Sequence, residues 1–449
     1  MNTFFKYQWL VLLVVLEGAA CKKQLDIKPA STLQVPVTAA DFQAVMDDTN
    51  IFSQVWPYAP TAGADEGFVT EATWSAAAIT SRNAYIWDRN VFNDLPRNDW
   101  SLSYTTVFYA NVVLEGTTRY GQPTAEWQNI RGQASFFRAY AYYQLAQEFC
   151  RPYDEQASKT DPGIVLRAGS DLHAASSRST VAQTYQQIIR DLSLAVRLLP
   201  AAVLTKTRPG KAAAYAMLAR TCLVMAQYDR AALYADSSLQ LNAGLTDYNQ
   251  VVAAAGPPFK RFNPEVVFHT IMVPVAMLLP GKYMVDTALY GSYEGNDLRR
   301  TLFFKAVKGT SYVSFNGSYD GTASLFNGLA TDEMYLVRAE GNARTGHMPE
   351  ALSDLNLLRK NRYQAATYVP LASADAGQVL GWILAERRKE LLLRGLRWSD
   401  LRRLNKEPAE ARTLVKVVGA QRYELPPGDP RYVWPIPQEV IANTGIAQN

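Results

Sequence analysis

The sequence predicts a mostly α-helical protein. Tetratricopeptide-like helical hairpins should form a right-handed superhelical scaffold that carries irregular, loop-rich inserts and a few short β-strands. Two observations lead to this fold class. Pairs of helical segments share one spacing of small residues, as the stacked helices of a repeat require. Two long segments between them are rich in Gly, Pro, Asn and aromatic residues and lack helical periodicity.

The N-terminal segment has the three parts of an export signal. Lys6 precedes the apolar run 9–16, which is followed by the small residues 18–20 and then by Cys21. The run is shorter than the roughly 20 residues that span a bilayer. We therefore predict a lipoprotein signal peptide over residues 1–20 and acylation of Cys21 by chains such as palmitate. An ordinary secretory signal is the alternative, because Gly18 stands where lipoprotein signals usually have leucine.

The charge balance and the cysteines narrow the class of protein. The chain carries 45 basic and 41 acidic side chains, and its net charge of +4 is too small to favour nucleic acid as a partner. Besides Cys21 there are only Cys150 and Cys222, which lie far apart in apolar stretches. We expect two buried free thiols rather than a disulfide.

The repeat spacing is clearest in two hairpins, over residues 214–239 and 332–358. Counted from Ala219 and from Ala339, their small and large residues match position for position. A third hairpin is split by an insertion. The remaining predicted elements are the helices 130–149 and 180–199 of the split hairpin, the loop 150–178 between them, a helix over 378–394 that ends near Gly395, and a segment 398–404 that follows it.

Two segments, over residues 50–97 and 253–326, are predicted to be non-helical inserts. They contain short β-like runs such as 265–271. Long irregular segments in a folded protein are usually either functional or disordered. Disordered segments contain few aromatic residues, so the high aromatic content of these two segments argues against disorder. We therefore expect the functional surface of the protein to lie on these two inserts.

A series of short motifs in a fixed order resembles the SusD/RagB family of outer-membrane nutrient-binding lipoproteins from Bacteroidetes. Trp100, Tyr104 and Asn111 are similar to its first helix. The other motifs are LDIKP at 25–29, RGQA at 131–134, FRAY at 137–140, KAAA at 211–214, DEMYL at 332–336, RAE at 338–340, ERR at 386–388 and WPIP at 434–437. The resemblance covers essentially the whole chain.

The resemblance implies a single SusD-like domain over residues 21–449, with a helical scaffold at about 100–240 and 331–404 and the two inserts on the ligand side. It further implies a lipid-anchored protein of the outer membrane that faces the cell exterior. Such a protein captures an oligosaccharide, or a peptide, and passes it to a SusC-like TonB-dependent barrel. A scaffold whose repeats bind a partner protein or peptide, with no small ligand, is the alternative.

The sequence offers little for catalysis, and we predict no enzyme, no cofactor and no metal site. His173, His269 and His347 belong to no HExxH or paired metal-ligand motif, and we expect them in loops or on the surface. The densest charge cluster comprises Glu386, Arg387, Arg388, Glu390, Arg394, Arg397, Asp400, Arg402 and Arg403. Paired carboxylates could indicate a glycoside hydrolase, but their alternation with arginines favours a salt-bridge lattice.

Ligand capture by stacking requires exposed aromatic faces flanked by planar polar groups, because a sugar ring has apolar faces and a polar rim. The inserts supply the candidates. The predicted ligand-binding residues are Asp65, Trp74, Tyr85, Trp87, Tyr283, Tyr290, Tyr293, Asn296 and Tyr312. The alternative for each aromatic residue is that it fills a small core beneath the loops, so we expect only two or three to line the site.

Overall fold

The computed structural model describes residues 35–54, 56–92, 97–253 and 256–449. The predicted signal peptide, Cys21 and the motif at 25–29 lie outside the described residues. Within these ranges the helices are α1 Ala39–Met46, α2 Thr49–Phe52, α3 Ala59–Gly63, α4 Glu71–Ala76, α5 Ile79–Tyr85, α6 Asp99–Arg119, α7 Ala125–Phe149, α8 Val181–Leu198, α9 Lys211–Val224, α10 Tyr228–Leu239, α11 Thr287–Gly291, α12 Arg299–Leu302, α13 Thr331–Arg344, α14 Met348–Lys360, α15 Ala376–Glu390, α16 Arg397–Leu404 and α17 Gln438–Thr444.

The strands form five two-stranded antiparallel sheets in the described part of the chain. They pair as β1 with β5, β2 with β3, β4 with β8, β6 with β7 and β9 with β10. The strands are β1 Gly67–Phe68, β2 Pro162–Val165, β3 Arg178–Thr180, β4 Val266–Phe268, β5 Met284–Val285, β6 Phe304–Ala306, β7 Val313–Phe315, β8 Leu329–Ala330, β9 Leu414–Val418 and β10 Gln421–Leu425. The prediction of a mostly helical fold with a few short strands is confirmed.

The long helices stack in one continuous series. Contacts run from α6 to α7, α8, α9 and α10, then to α13 and on to α14 and α15. Small residues allow the helices to approach each other: a Cβ on Gly341 of α13 would lie 2.8 Å from the carbonyl oxygen of Tyr228 in α10. The three predicted hairpins are present, and the insertion that splits one of them contains the sheet β2–β3.

Local sequence signals explain where several helices begin. Thr38 and Thr180 cap α1 and α8 with capping boxes, in which the Thr hydroxyl accepts a bond from the third helical residue. Gly210 is the N-cap of α9. None of the helices among the described residues combines the length and apolar character needed to cross a bilayer.

Two details of the predicted elements are wrong. The inserts are not free of helix, because short helices such as α4 and α11 form where Thr70 and Asp286 provide N-caps. The predicted helix 378–394 ends at Glu390, since Leu393 and Gly395 adopt left-handed backbone conformations with φ of 56° and 74°.

The largest hydrophobic cluster among the described residues contains buried side chains of the helical stack and of both inserts. Trp398 of α16 stacks on Trp434 with ring centroids 5.1 Å apart and an angle of 13° between the planes. Cys150 and Cys222 are buried and free, which confirms the prediction for these two thiols. Burial raises the pKa of the Cys150 thiol to about 12, so it stays protonated and unreactive at neutral pH.

Candidate ligand-binding site

The two inserts meet and form one surface. Phe68 of β1 is paired with Met284 of β5, so the first insert and the second share a sheet. The backbone N–H of Asp286 donates to the carbonyl of Glu66 at 3.0 Å, which extends the contact beyond the sheet. We call the surface around Phe68, Asp286, Tyr290 and Tyr312 the loop face.

Two aromatic side chains of the loop face contact each other edge to face. The rings of Phe68 and Tyr312 have centroids 5.0 Å apart and an angle of 86° between their planes. Tyr312 is 38% exposed and Phe68 is half-buried. An exposed ring supported by a second ring is the arrangement that a stacking platform for a sugar needs.

Tyr290 provides a second ring with a charged neighbour. It is half-buried, and the guanidinium of Arg300 lies 4.6 Å from its ring centroid. Its edge-to-face contact with Phe304, at 5.1 Å, connects it to the β6–β7 sheet that ends beside Tyr312. Tyr290 and Arg300 together present an apolar face and a set of hydrogen-bond donors.

Trp74 lies on α4, the helix that follows β1, and it is half-buried. Its indole N–H donates to the carbonyl of Arg82 at 3.2 Å, and the Arg82 guanidinium lies 5.6 Å from the ring centroid. The indole is therefore held in place while part of the ring remains accessible to solvent. Trp74, Tyr290 and Tyr312 remain candidate platforms.

Four predicted site residues are fully buried: Tyr85, Trp87, Tyr283 and Tyr293. The indole of Trp87 donates to the Gly63 carbonyl at 2.8 Å. The hydroxyl of Tyr293 donates to the Lys389 carbonyl at 2.7 Å, and Tyr85 accepts from the N–H of Val69. These side chains fill cores beneath the loops, so their proposed role as stacking platforms is withdrawn.

The two predicted polar residues, Asp65 and Asn296, have structural partners. Asn296 donates through Nδ2 to the hydroxyl and carbonyl oxygens of Thr367, which fastens the second insert to the loop after α14. Asp65 accepts two hydrogen bonds from Arg397. Burial alone would raise the pKa of Asp65, but the guanidiniums of Arg397 and Arg388 hold it well below its usual range.

The predicted charge cluster is a buried ion-pair lattice. Glu386 and Glu390 both contact Arg299, at 2.6 and 2.7 Å, and Arg362 joins Glu390 to Glu265 at 2.7 and 2.9 Å. Burial would raise the pKa of Glu386, but the Arg299 guanidinium holds it well below its usual range. Because both carboxylates are buried and paired, neither is placed to attack a glycosidic bond. The lattice prediction is confirmed.

The rest of the cluster has partners of the same kind. Asp400 accepts from Arg387 and Arg403, Glu340 pairs with Arg403, Asp332 with Arg394 and Asp65 with Arg388 and Arg397, while Arg402 donates to the carbonyls of Gln147 and Cys150. These bonds connect α15, α16 and the segment between them to α7, to α13 and, through Asp65, to the first insert.

Three buried carboxylates come close enough to be considered as metal ligands. Oxygens of Glu265, Asp332 and Glu390 lie within 4.8 Å of one another. However, Arg362 contacts Glu265 and Glu390, and Arg394 lies 2.7 Å from Asp332. Their charge is balanced by arginines, so we assign no metal ion to them.

The prediction for one histidine is wrong. His269 is completely buried, and its Nε2 lies 2.9 Å from Oδ1 of Asp320. It belongs to a strand-like segment that follows β4, and packing of its ring against Phe262 and Phe326 accounts for the burial. His173 and His347 are exposed, as predicted.

Sequence reasoning did not single out Phe68 for this surface. Phe68 lies within the aromatic-rich first insert, which was the available signal.

Comparison with protein families gave two matches. A family described as "Starch-binding associating with outer membrane" matches residues 23–223, and one described as "SusD family" matches residues 331–449. A comparison with curated proteins found no match.

Solved structures share the fold over nearly the full chain. A SusD superfamily protein from Bacteroides thetaiotaomicron is 21% identical, with a TM-score of 0.75 over 92% of this chain and 100% of that one. A SusD-like carbohydrate binding protein from Bacteroides vulgatus is 18% identical, with a TM-score of 0.68 over 91% and 97%. A laminarin-binding SusD-like protein is 16% identical, with a TM-score of 0.65 over 93% and 99%.

Proposed function

This chain belongs to the SusD/RagB family, and we propose that it captures an oligosaccharide at the cell surface and delivers it to a SusC-like TonB-dependent transporter of the outer membrane. Acyl chains on Cys21 would anchor it there. The observation that carries the proposal is the pairing of Phe68 with Tyr312, which gives an exposed stacking surface where the two inserts meet. A peptide is the second class of ligand that such a surface accepts.

The proposed role is binding without catalysis. The acidic residues that could have served a hydrolase are buried in the ion-pair lattice. Structural relatives are described as binding proteins. Turnover of bound glycan by the purified protein would contradict this part of the proposal.

The experiment that tests delivery is a pull-down of the tagged, full-length protein from its own outer membrane in mild detergent. We expect a TonB-dependent barrel in stoichiometric amount. A Cys21→Ser variant, which cannot be acylated, serves as the control and should appear in the soluble fraction. Recovery of other partners without a barrel would contradict the proposal.

A groove on the helical scaffold favours a second candidate function. It has a volume of about 640 Å³ and lies among α10, α13 and α14, with Asp229, Leu233, Arg338 and Glu350 along it. Leu233 is 61% exposed. Repeat grooves of this kind bind peptide segments, so a scaffold role would place the partner here and leave the loop face without a ligand.

Removal of two aromatic rings should separate these functions. In a Trp74→Ala, Tyr312→Ala double variant we expect affinity for the captured oligosaccharide to fall at least tenfold. Covering roughly 100 Å² of apolar ring contributes about 2.5 kcal/mol, and two such surfaces are lost. Isothermal titration calorimetry measures the change, and the barrel should still co-purify.

The matched control is Tyr234→Ala, which removes a half-buried ring from α10 on the scaffold. It should leave oligosaccharide affinity unchanged. If the double variant binds as tightly as the wild type, Trp74 and Tyr312 do not line the site. If only the scaffold change disturbs partner binding and no glycan binds at all, the second candidate function is favoured.

A further inference from the structure

The groove among α10, α13 and α14, which we call the scaffold groove, carries an excess of negative charge. It has a volume of about 640 Å³. Four carboxylates and one guanidinium line it: Asp229 and Asp236 from α10, Glu350 and Asp354 from α14, and Arg338 from α13. The chain as a whole has a net charge of +4. The scaffold groove is therefore a locally acidic surface on a slightly basic protein.

Two of the four carboxylates share one cation. Arg338 contacts Asp236 and Asp354, each at 2.6 Å, so a single guanidinium joins α10 to α14 across α13. This bridge connects the two walls of the groove. One positive charge between two carboxylates leaves a negative charge at the bridge.

The other two carboxylates, Asp229 and Glu350, have no cationic partner in the described part of the chain. Both are exposed, and neither side chain makes a hydrogen bond or an ion pair there. Each lies in the first turn of its helix, where the helix dipole favours a negative charge. Their carboxylate oxygens remain available to accept hydrogen bonds from a cationic ligand.

The scaffold groove also offers an apolar side chain and an amide. Leu233 stands four residues after Asp229 and three before Asp236, so it shares their face of α10, and it is 61% exposed. Asn342 stands four residues after Arg338 on α13. Its half-buried side-chain amide has no hydrogen-bond partner among the described residues. Such an amide can both donate to and accept from a peptide backbone.

These charges determine which class of segment fits. A neutral segment over Leu233 would take Asp229 and Glu350 partly out of water without giving them a counterion, which costs free energy. An acidic segment would be repelled by the carboxylates. A basic segment supplies the missing cations, so charge complementarity favours it.

We propose that the scaffold groove binds a basic peptide segment of a partner protein, in which lysine or arginine residues stand on both sides of an apolar residue. The cationic side chains pair with Asp229 and Glu350, and the apolar side chain covers Leu233. The inference rests on the second candidate function, partner binding by the scaffold, and names the chemistry of that partner. The loop face stays free for a glycan, because every residue that lines the groove belongs to α10, α13, α14 or the turn between α13 and α14.

The test is selection from a random peptide library displayed on phage, with the full mature chain as the immobilised target. We expect enriched peptides to carry lysine or arginine on both sides of an apolar residue. Fluorescence anisotropy of labelled synthetic copies of these peptides gives their affinity. In an Asp229→Asn, Glu350→Gln double variant the affinity should fall about five- to tenfold, and high salt should weaken binding to the wild type.

The matched control is a Glu155→Gln, Glu439→Gln double variant, which changes the net charge equally at exposed positions outside the groove. It should bind the selected peptides as tightly as the wild type. Loss of Asp229 and Glu350 removes favourable charges from two helix starts, so a second test variant is needed. Leu233→Ala should keep the unfolding temperature of the wild type, because the side chain is exposed, and should still bind the peptides more weakly.

Enrichment of neutral or acidic peptides, or equal affinity of the two double variants, overturns the inference. If neutral peptides are enriched and lose affinity in Leu233→Ala, the groove binds a partner without a preference for basic segments, and the second candidate function stands. If no peptide is enriched, the inference and the second candidate function fail together. Glycan capture at the loop face is tested separately and is unaffected by these results.

Discussion

Replacing Arg299 by glutamine should lower the free energy of unfolding by about 3–5 kcal/mol, because it leaves buried carboxylates without their counterion. Arg299 lies 2.7 Å from Asp297, 2.6 Å from Glu386 and 2.7 Å from Glu390, and these side chains are at most 1% exposed. Urea unfolding followed by circular dichroism measures the change, since a lower midpoint at an unchanged slope reports stability directly.

The control is Arg422→Gln on β10, where the arginine pairs with Glu424 at 2.7 Å but both side chains are more than half exposed. Exposed ion pairs contribute little, so its effect should stay within about 0.5 kcal/mol. If Arg299→Gln lowers the free energy of unfolding by less than about 1 kcal/mol, water or rearranged side chains must compensate the buried carboxylates. The lattice would then not be what holds the second insert to the scaffold.

The lattice connects stability with the proposed site. Asp297 and Arg299 belong to the second insert, whereas Glu386 and Glu390 belong to α15 of the scaffold. The ion pairs therefore fix the loop-rich half of the molecule onto the helical half. Irregular segments gain few backbone hydrogen bonds of their own, and these charged contacts compensate for that lack.

The helical scaffold could be predicted from the sequence, and so could the ion pairing of the charged run 386–403. Both predictions rest on local patterns. Spacing from Ala219 and Ala339 identifies two hairpins, and the alternation of Glu386 with its neighbouring arginines indicates ion pairing. The main partner of Glu386, Arg299, is 87 residues away in the chain and follows no periodic signal. Long-range partners of this kind become visible only when the chain is folded.

The residues of the candidate site were predicted less well than the helical scaffold, because the inserts that carry them have no periodic pattern. In a helix or strand the period of the pattern tells which side chains face the core, but an irregular insert has no period. Trp74 and Trp87 have similar composition around them, yet one ring is half exposed and the other is completely covered. The location of the loop face could be predicted from composition, whereas the individual residues on it could not.

We also expect the protein to lose stability as the pH rises from about 5 to 8. Burial raises the pKa of Asp99 to about 6 and those of Glu66 and Glu265 to about 7, and burial together with the charge of Asp99 raises that of Glu148 well above its usual range. In the unfolded chain these groups release their protons near pH 4. The folded state binds more protons in this window, so its stability falls as the pH rises.

Other ionisable groups have pKa shifts that make stability rise with pH, but they act outside the range from pH 5 to 8. Arginine partners lower the pKa values of Glu386 and Asp400 despite their burial, so the stability that these groups contribute is lost only in acid. Burial lowers the pKa of Lys416 to about 8, and the unfolded chain therefore binds its proton more strongly between pH 8 and about 10. Above pH 8, Lys416 therefore makes the stability of the folded state increase as the pH rises. Between pH 5 and 8 the buried carboxyls determine the slope.

Glu148→Gln should flatten this profile, because an uncharged amide has no proton to take up on folding. At pH 8 the variant should be about 1–3 kcal/mol more stable than the wild type, and at pH 5 the two should be nearly equal. Urea unfolding at both pH values measures the difference. The control Glu155→Gln, an exposed loop glutamate, should follow the wild-type profile. A Glu148→Gln profile parallel to the wild type would show that Glu148 is ionised in the folded protein and paired with Arg402, the cation whose charge lowers its pKa.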